Sequence, residues 1–163
     1  MKLRTTPLLA FAVLTGVILL IASCKKDSSP GSSTSGMSAT IGDSTFASTV
    51  TQLSYDTVHH VDYVGGLSHD SSILQLTISR PPQVNVPVSS DMAVAILLYY
   101  NRSNQTTYVG GDPFGKAVYE ITLLDSVHRK ISGTFSGTLF NSASGASPTD
   151  SLVITNGKFN FGF

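Results

Sequence analysis

A chain of 163 residues with ten basic and ten acidic side chains is neutral at pH 7, and its Lys and Arg residues are scattered along it. Nucleic-acid binders gather such charges on one face, so a nucleic-acid footprint is excluded. A single cysteine, Cys24, rules out an intrachain disulfide and a thiolate metal site, and the fold must stand on its apolar core.

Lys2 and Arg4 precede a fifteen-residue apolar run from Pro7 to Ile21, and the small residues Ala22 and Ser23 follow. These are the three parts of an export signal: a positive start, an apolar run and a small-residue exit. The run is shorter than the roughly 20 residues of a permanent spanning helix. Cys24 comes next, and Ile21-Ala22-Ser23-Cys24 resembles the lipobox of bacterial lipoproteins. That resemblance implies cleavage between Ser23 and Cys24, a diacylglyceryl group on the Cys24 sulfur, and an acyl chain such as palmitate on the new amine. Each buried methylene contributes about 0.8 kcal/mol, so two or three chains hold a protein on a membrane where one would not. Loss of residues 1–23 removes Lys2 and Arg4, leaving eight basic against ten acidic side chains. Lys25-Lys26-Asp27 resembles the start of Bacteroidota lipoproteins sorted to the outer membrane, which implies a lipid anchor there through Cys24.

Residues 24–37 are rich in Ser and Gly, contain Pro30 and lack an apolar period. They read as a flexible tether that holds the domain on the order of 20 Å from the lipid. Residues 38–163 read as one β domain, short on helix formers and dense in Thr, Ser, Val, Ile, Tyr and Gly. Ser38–Ile41 and Ser44–Ala47 flank Gly42-Asp43, a hairpin signal. Val50–Val58 and His60–Leu67 are further strand candidates, and Ile73–Ile78 alternates apolar with polar residues. Arg80-Pro81-Pro82 and Pro87 lack backbone donors, so Gln83–Ser90 belongs in a loop or at an unpaired sheet edge. Met92–Tyr100 is apolar on both alternate sets and predicts a strand covered on both faces.

Thr106–Val109 and Ala117–Leu124 predict strands on either side of the breaker Gly110-Gly111-Asp112-Pro113. The clearest segment is Ile131–Leu139, where Ile131, Gly133, Phe135, Gly137 and Leu139 alternate with Ser132, Thr134, Ser136 and Thr138. Asn156-Gly157 between Leu152–Thr155 and Lys158–Phe161 predicts a hairpin, with a bulged continuous strand as the alternative. About eight to ten short antiparallel strands without helices predict an all-β fold, an antiparallel two-sheet β-sandwich, with a closed calycin-like β-barrel as the alternative.

Three stretches carry a second resemblance: Met37–Ile41, Lys130-Ile131-Ser132-Gly133-Thr134-Phe135-Ser136-Gly137, and Val153-Ile154-Thr155-Asn156-Gly157-Lys158-Phe159. They resemble a recurring family of small Bacteroidota lipoproteins whose shared domain has no established activity. The resemblance implies placement and fold and lends no catalytic residue. Phe46 stands where many members have a tryptophan, and Pro81–Pro87 looks like an elaboration of this chain.

Candidate chemistry is sparse. On a strand, His60 and Asp62 of His59-His60-Val61-Asp62 would point the same way, but no third ligand has a metal-site spacing, so no metal is expected. Ser68-His69-Asp70 has the residue types of a hydrolase triad, yet adjacent residues on an extended chain face alternate sides. With no Gly-x-Ser-x-Gly elbow or phosphate-binding glycine loop, neither an enzyme nor a cofactor is expected. Tyr99, Tyr100, Tyr108, Phe114 and Tyr119 fall around the middle loops and are the candidate ligand patch. Asp56-Thr57-Val58, Asp125-Ser126-Val127 and Asp150-Ser151-Leu152 resemble a short Bacteroidota O-glycosylation pattern. The alternating Phe159, Phe161 and Phe163 faintly resemble the end of an outer-membrane barrel and read as core.

The expected function is a membrane-anchored, non-catalytic binding or accessory module with a glycan or envelope-protein partner. The alternative is a structural envelope component without a specific ligand. A Cys24→Ser chain is expected to leave the particulate fraction of the cell, and mass spectrometry of the native protein is expected to find a Cys24 that carries a diacylglyceryl group as its first residue. A bare thiol with residues 1–23 still attached would overturn the anchor.

Overall fold

The structure, a computed structural model, describes residues 35–143 and 150–162. The signal, the Ser23–Cys24 junction, nearly all of the tether, most of the Asn141–Thr149 loop and Phe163 lie outside the described residues. Within them the chain forms ten strands and no helix: β1 (Gly36–Ile41), β2 (Ser44–Asp56), β3 (Val61–Ser68), β4 (Ile73–Ser79), β5 (Val88–Ser89), β6 (Ala95–Asn101), β7 (Thr106–Gly110), β8 (Gly115–Asp125), β9 (Lys130–Asn141) and β10 (Ser151–Gly162).

Successive strands pair antiparallel, and the sheet closes on itself. β10 lies against β9 along its whole length and against β1 on its other side, with Gly36 opposite Asn160 and Ile41 opposite Ile154. β7 and β8 occupy one strand position, because Val109 pairs with Phe140 and, after an excursion through Gly111–Phe114, Gly115 pairs with Leu139. β5 adds two residues to the outer edge of β8. The result is an eight-strand antiparallel barrel, which corrects the sandwich and agrees with the closed alternative. A sandwich would leave β1 and β10 as separate edges; their pairing removes both.

The hairpin at Asn156-Gly157 is likewise corrected. β10 runs straight through, and its register slips between Ile154 and Gly157, with Asn156 in the left-handed region at φ 53°. Asn tolerates that conformation, and the extra residue bends the strand while switching the inward parity from Ile154 to Gly157, Phe159 and Phe161. The Gly42-Asp43 hairpin forms as expected, with Gly42 at φ 56°. β1 starts two residues earlier than the domain boundary placed it, and Met37 is part of the core. The strand expected from Met92 begins only at Ala95, and Met92, Val94 and Ile96 are exposed rather than covered.

An eight-strand barrel has an interior just wide enough for side chains to fill. Here Val64, Leu74, Leu76, Leu97, Ile121, Leu139 and Ile154 pack inside with Phe46, Phe135 and Phe159. Outside, β9 presents the exposed Thr134 and Ser136. On β9, apolar within and hydroxylated without is the reverse of the lipid-spanning pattern.

Two glycines make room for two rings. Gly133 pairs with Phe159 and Gly157 with Phe135, so each ring lies across its cross-strand glycine. A Cβ at Gly133 would stand 2.3 Å from the Glu120 carbonyl oxygen and 2.5 Å from Phe159 Cζ. Because backbone is part of the clash, Gly133→Ala is expected to cost about 1–3 kcal/mol in urea unfolding. Outward Thr134→Ala is expected to stay within about 0.5 kcal/mol, so equal midpoints for the two variants would contradict this packing.

Candidate functional site

The ends of β2, β4 and β8 meet the starts of β3 and β9 at one end of the barrel, beside Gly36 and Gly162. Here the filled interior gives way to an open cavity of about 410 Å³. Ile131 and Leu53 line it with core-facing apolar surface, and Tyr55, Leu124, Pro81 and Pro82 add to its lining. The prolines explain why it is open. With no donor at residues 81 and 82, β4 cannot extend its ladder past Ser79, and the chain turns away. The turn is tied down by the Arg80 N–H, which donates to the His60 carbonyl at 2.9 Å, and by the Ser79 N–H, which donates to the Tyr119 hydroxyl at 3.0 Å.

One charged pair sits in this apolar setting. The Asp62 residue is 5% exposed, and its Oδ1 accepts from Arg80 Nε at 2.5 Å. The same guanidinium lies 4.7 Å from the centre of the Tyr55 ring. A carboxylate buried to this degree needs its partner; stripping one member from such a pair costs about 3–5 kcal/mol. Burial chiefly pushes the Tyr55 hydroxyl above its ordinary value; Asp62 adds to this, and Arg80 and Arg129 act against it. Arg129 closes the turn that carries Ser126, one of the cavity's lining residues.

Two turns of the same design flank the cavity. In Asp56-Thr57-Val58-His59-His60, Asp56 Oδ1 accepts the N–H groups of Val58 (2.9 Å) and His59 (3.0 Å), and Oδ2 meets His59 Nδ1 at 2.7 Å. In Asp125-Ser126-Val127-His128-Arg129, Asp125 makes the same three contacts, at 3.0, 2.9 and 2.6 Å. Each turn ends on a left-handed residue, His60 at φ 56° and Arg129 at φ 54°. The pattern leaves a valine at each tip, Val58 79% and Val127 83% exposed. Hydrogen bonds from the His59 and His128 backbone N–H groups, then from their rings, hold the two carboxyls below the usual range. Thr57 and Ser126 are exposed in these turns, and Ser151 is exposed at the start of β10.

The residues singled out from the sequence distribute differently. His60 lies in the turn rather than on a strand, and Asp62 is committed to Arg80. No three His, Cys, Asp or Glu side chains converge among the described residues. Ser68 Oγ donates to Asp70 directly, and Asp70 also accepts from the Ser72 N–H and hydroxyl, which closes the β3–β4 turn with no histidine between acid and hydroxyl. Of the candidate aromatic patch, Tyr99, Tyr108 and Tyr119 are buried, Tyr100 is half-buried and Phe114 is exposed. Tyr99 stacks edge-on against Phe46, and the Tyr108 and Tyr119 hydroxyls bond Asp150 and Ser79. The five do not share an exposed surface.

Sequence reasoning missed Leu53, Tyr55, Arg80 and Leu124 as a group. Their signal was faint: Arg80 stood before a pair of prolines, and Leu53 and Tyr55 alternated toward one face.

Fold and site together define a packed, closed antiparallel barrel with an apolar mouth at the end where β1 enters. Comparison with protein-family models, with curated proteins and with solved structures found no match.

The twin turns carry a pH dependence. Asp56 and Asp125 have folded values below the unfolded 3.8, so their contribution is complete above that value and is lost as pH falls through the folded ones. An Asp56→Asn/Asp125→Asn protein is therefore expected to melt below wild type at pH 7, and the gap should close in thermal melts taken at successively lower pH under 3.8. A gap that held constant down the acid limb would remove the carboxylates as its cause.

Proposed function

We propose that this chain is a lipid-anchored outer-membrane lipoprotein whose barrel is a non-catalytic binding module, with the cavity beside Leu53, Tyr55 and Leu124 as its ligand site. One observation carries the reading: an open space of about 410 Å³, mostly apolar in lining, at the end of an otherwise filled barrel. Ligand sites run from roughly 300 to 1,000 Å³, are apolar with a few polar groups, and favour barrel mouths. The polar groups here are Asp62, Arg80 and His60. The anchor rests on Ile21-Ala22-Ser23-Cys24, and β1, the first described strand, begins at the cavity's end of the barrel.

A glycan ligand has weaker support, because the one aromatic ring in the cavity lining, Tyr55, already lies beneath Arg80. The hydroxylated outer face of β9 favours the second reading, a structural envelope component, which needs no cavity at all.

The neutral fluorophore N-phenyl-1-naphthylamine, titrated into the full Cys24→Ser chain without detergent, separates the two. The binding reading expects a saturable rise in emission that Leu124→Trp, which fills the mouth, abolishes without lowering the melting temperature. No emission difference between the two proteins would leave the structural reading.

A further inference from the structure

The proposed site also has a charge pattern, and the ligand class follows from it if the binding reading holds. We infer that the mouth takes an amphiphile with an anionic head, one chain laid on Leu53, Leu124 and Ile131 and its head between Arg80 and Arg129.

Consider first the acids around the cavity. Asp62 lies beside the Arg80 guanidinium, whose Nε donates to its Oδ1. Asp56 and Asp125 are each turned inward to their own turn, accepting two backbone N–H groups and a histidine ring. All three carboxylates are already engaged in hydrogen bonds within the protein. The basic groups are placed the other way. The Arg80 side chain is 37% exposed, and its contact with Asp62 runs through Nε, so donors on its terminal nitrogens remain for a ligand. Arg129 is exposed, closes the turn whose Ser126 lines the cavity, and makes no ion pair among the described residues. The Tyr55 ring holds the Arg80 plane in place, so a head group would meet a donor fork that is already oriented.

An ammonium head would meet these guanidiniums as a like charge, and a neutral head would accept bonds from them without an opposite charge; the strongest bonds are those between two ions. A carboxylate or phosphate gains such bonds, while its chain replaces water on the apolar lining. The same chemistry can come from a free fatty acid or from the head of an anionic phospholipid.

The test uses the fluorophore assay on the full Cys24→Ser chain with three competitors of one chain length: dodecanoate, dodecanol and dodecyltrimethylammonium. Dodecanoate is expected to displace the fluorophore at about tenfold lower concentration than either of the others, the scale of one charge-assisted bond. Arg129→Asn, which suits a left-handed position, is expected to shrink that advantage, read as the ratio of the dodecanol to the dodecanoate midpoint within the variant. Arg80→Met alone strands Asp62 and is expected to melt early, so Arg80→Met/Asp62→Leu is the informative variant; it should fold and lose the preference, read as the ratio of the dodecanol to the dodecanoate midpoint against the variant's own fluorophore affinity. Vesicles of phosphatidylcholine with and without phosphatidylglycerol separate the sources: competition that requires the anionic lipid identifies a membrane head group, and competition by dodecanoate only identifies a free amphiphile. If the three competitors act equally while the fluorophore binds, the anionic head is overturned and the binding site stands. If the fluorophore itself does not bind, both fall.

Discussion

β10 must find a partner on each flank. On one side it runs the length of β9, and on the other it meets β1 across a register that slips by a residue at Asn156. Without that slip its inward parity, set by Ile154, would turn Phe159 and Phe161 toward water, and the barrel would lose two of its largest core side chains. Closure also needs the rings to lie flat over the opposing backbone, which Gly133 and Gly157 permit and any Cβ would forbid. The seam is therefore held by a bulge and two missing side chains rather than by any special bond.

That same filling decides where a ligand can go. With Leu74, Leu76, Leu97 and Leu139 fully enclosed, the interior is occupied by the protein itself. One open, mostly apolar space lies at the end where Pro81 and Pro82 stop β4 and the next stretch of chain leaves the ladder. A carboxylate placed at the last inward position of that end, Asp62, is covered by an arginine that also reaches water. The pair caps the core on one side and lends charge to the mouth on the other.

Much of the fold is legible in the residues. The period of two from Ile131 to Leu139 marks both β9 and its buried face, and Gly42-Asp43 marks the first hairpin, because each signal is local. The choice between sandwich and barrel is not local: it depends on whether residues 36–41 pair with residues 154–160, more than a hundred positions away. Asn156-Gly157 misleads for a related reason, since the left-handed residue that builds a turn also builds a bulge. The site is harder still. Asp62 and Arg80 are neighbours only because Asp62 pairs with Ile78 across β3 and β4, and nothing in either residue's surroundings announces the other. The tyrosines could have been read correctly: Tyr99 and Tyr119 share parity with Leu97 and with Ala117 and Ile121, which puts them inside.

β5 has a consequence for how the protein behaves in a crowd. A closed barrel has no frayed margin, but β8 diverges from β6 below Gly111 and would there expose unpaired amides to any passing strand. Val88 and Ser89 cover that stretch, Val84 and Asn85 bridge to Ile121, and Pro81, Pro82 and Pro87 leave this patch few donors of its own. The patch is too short and too proline-rich to template a neighbour's ladder, so copies crowded together have little means of zipping edge to edge.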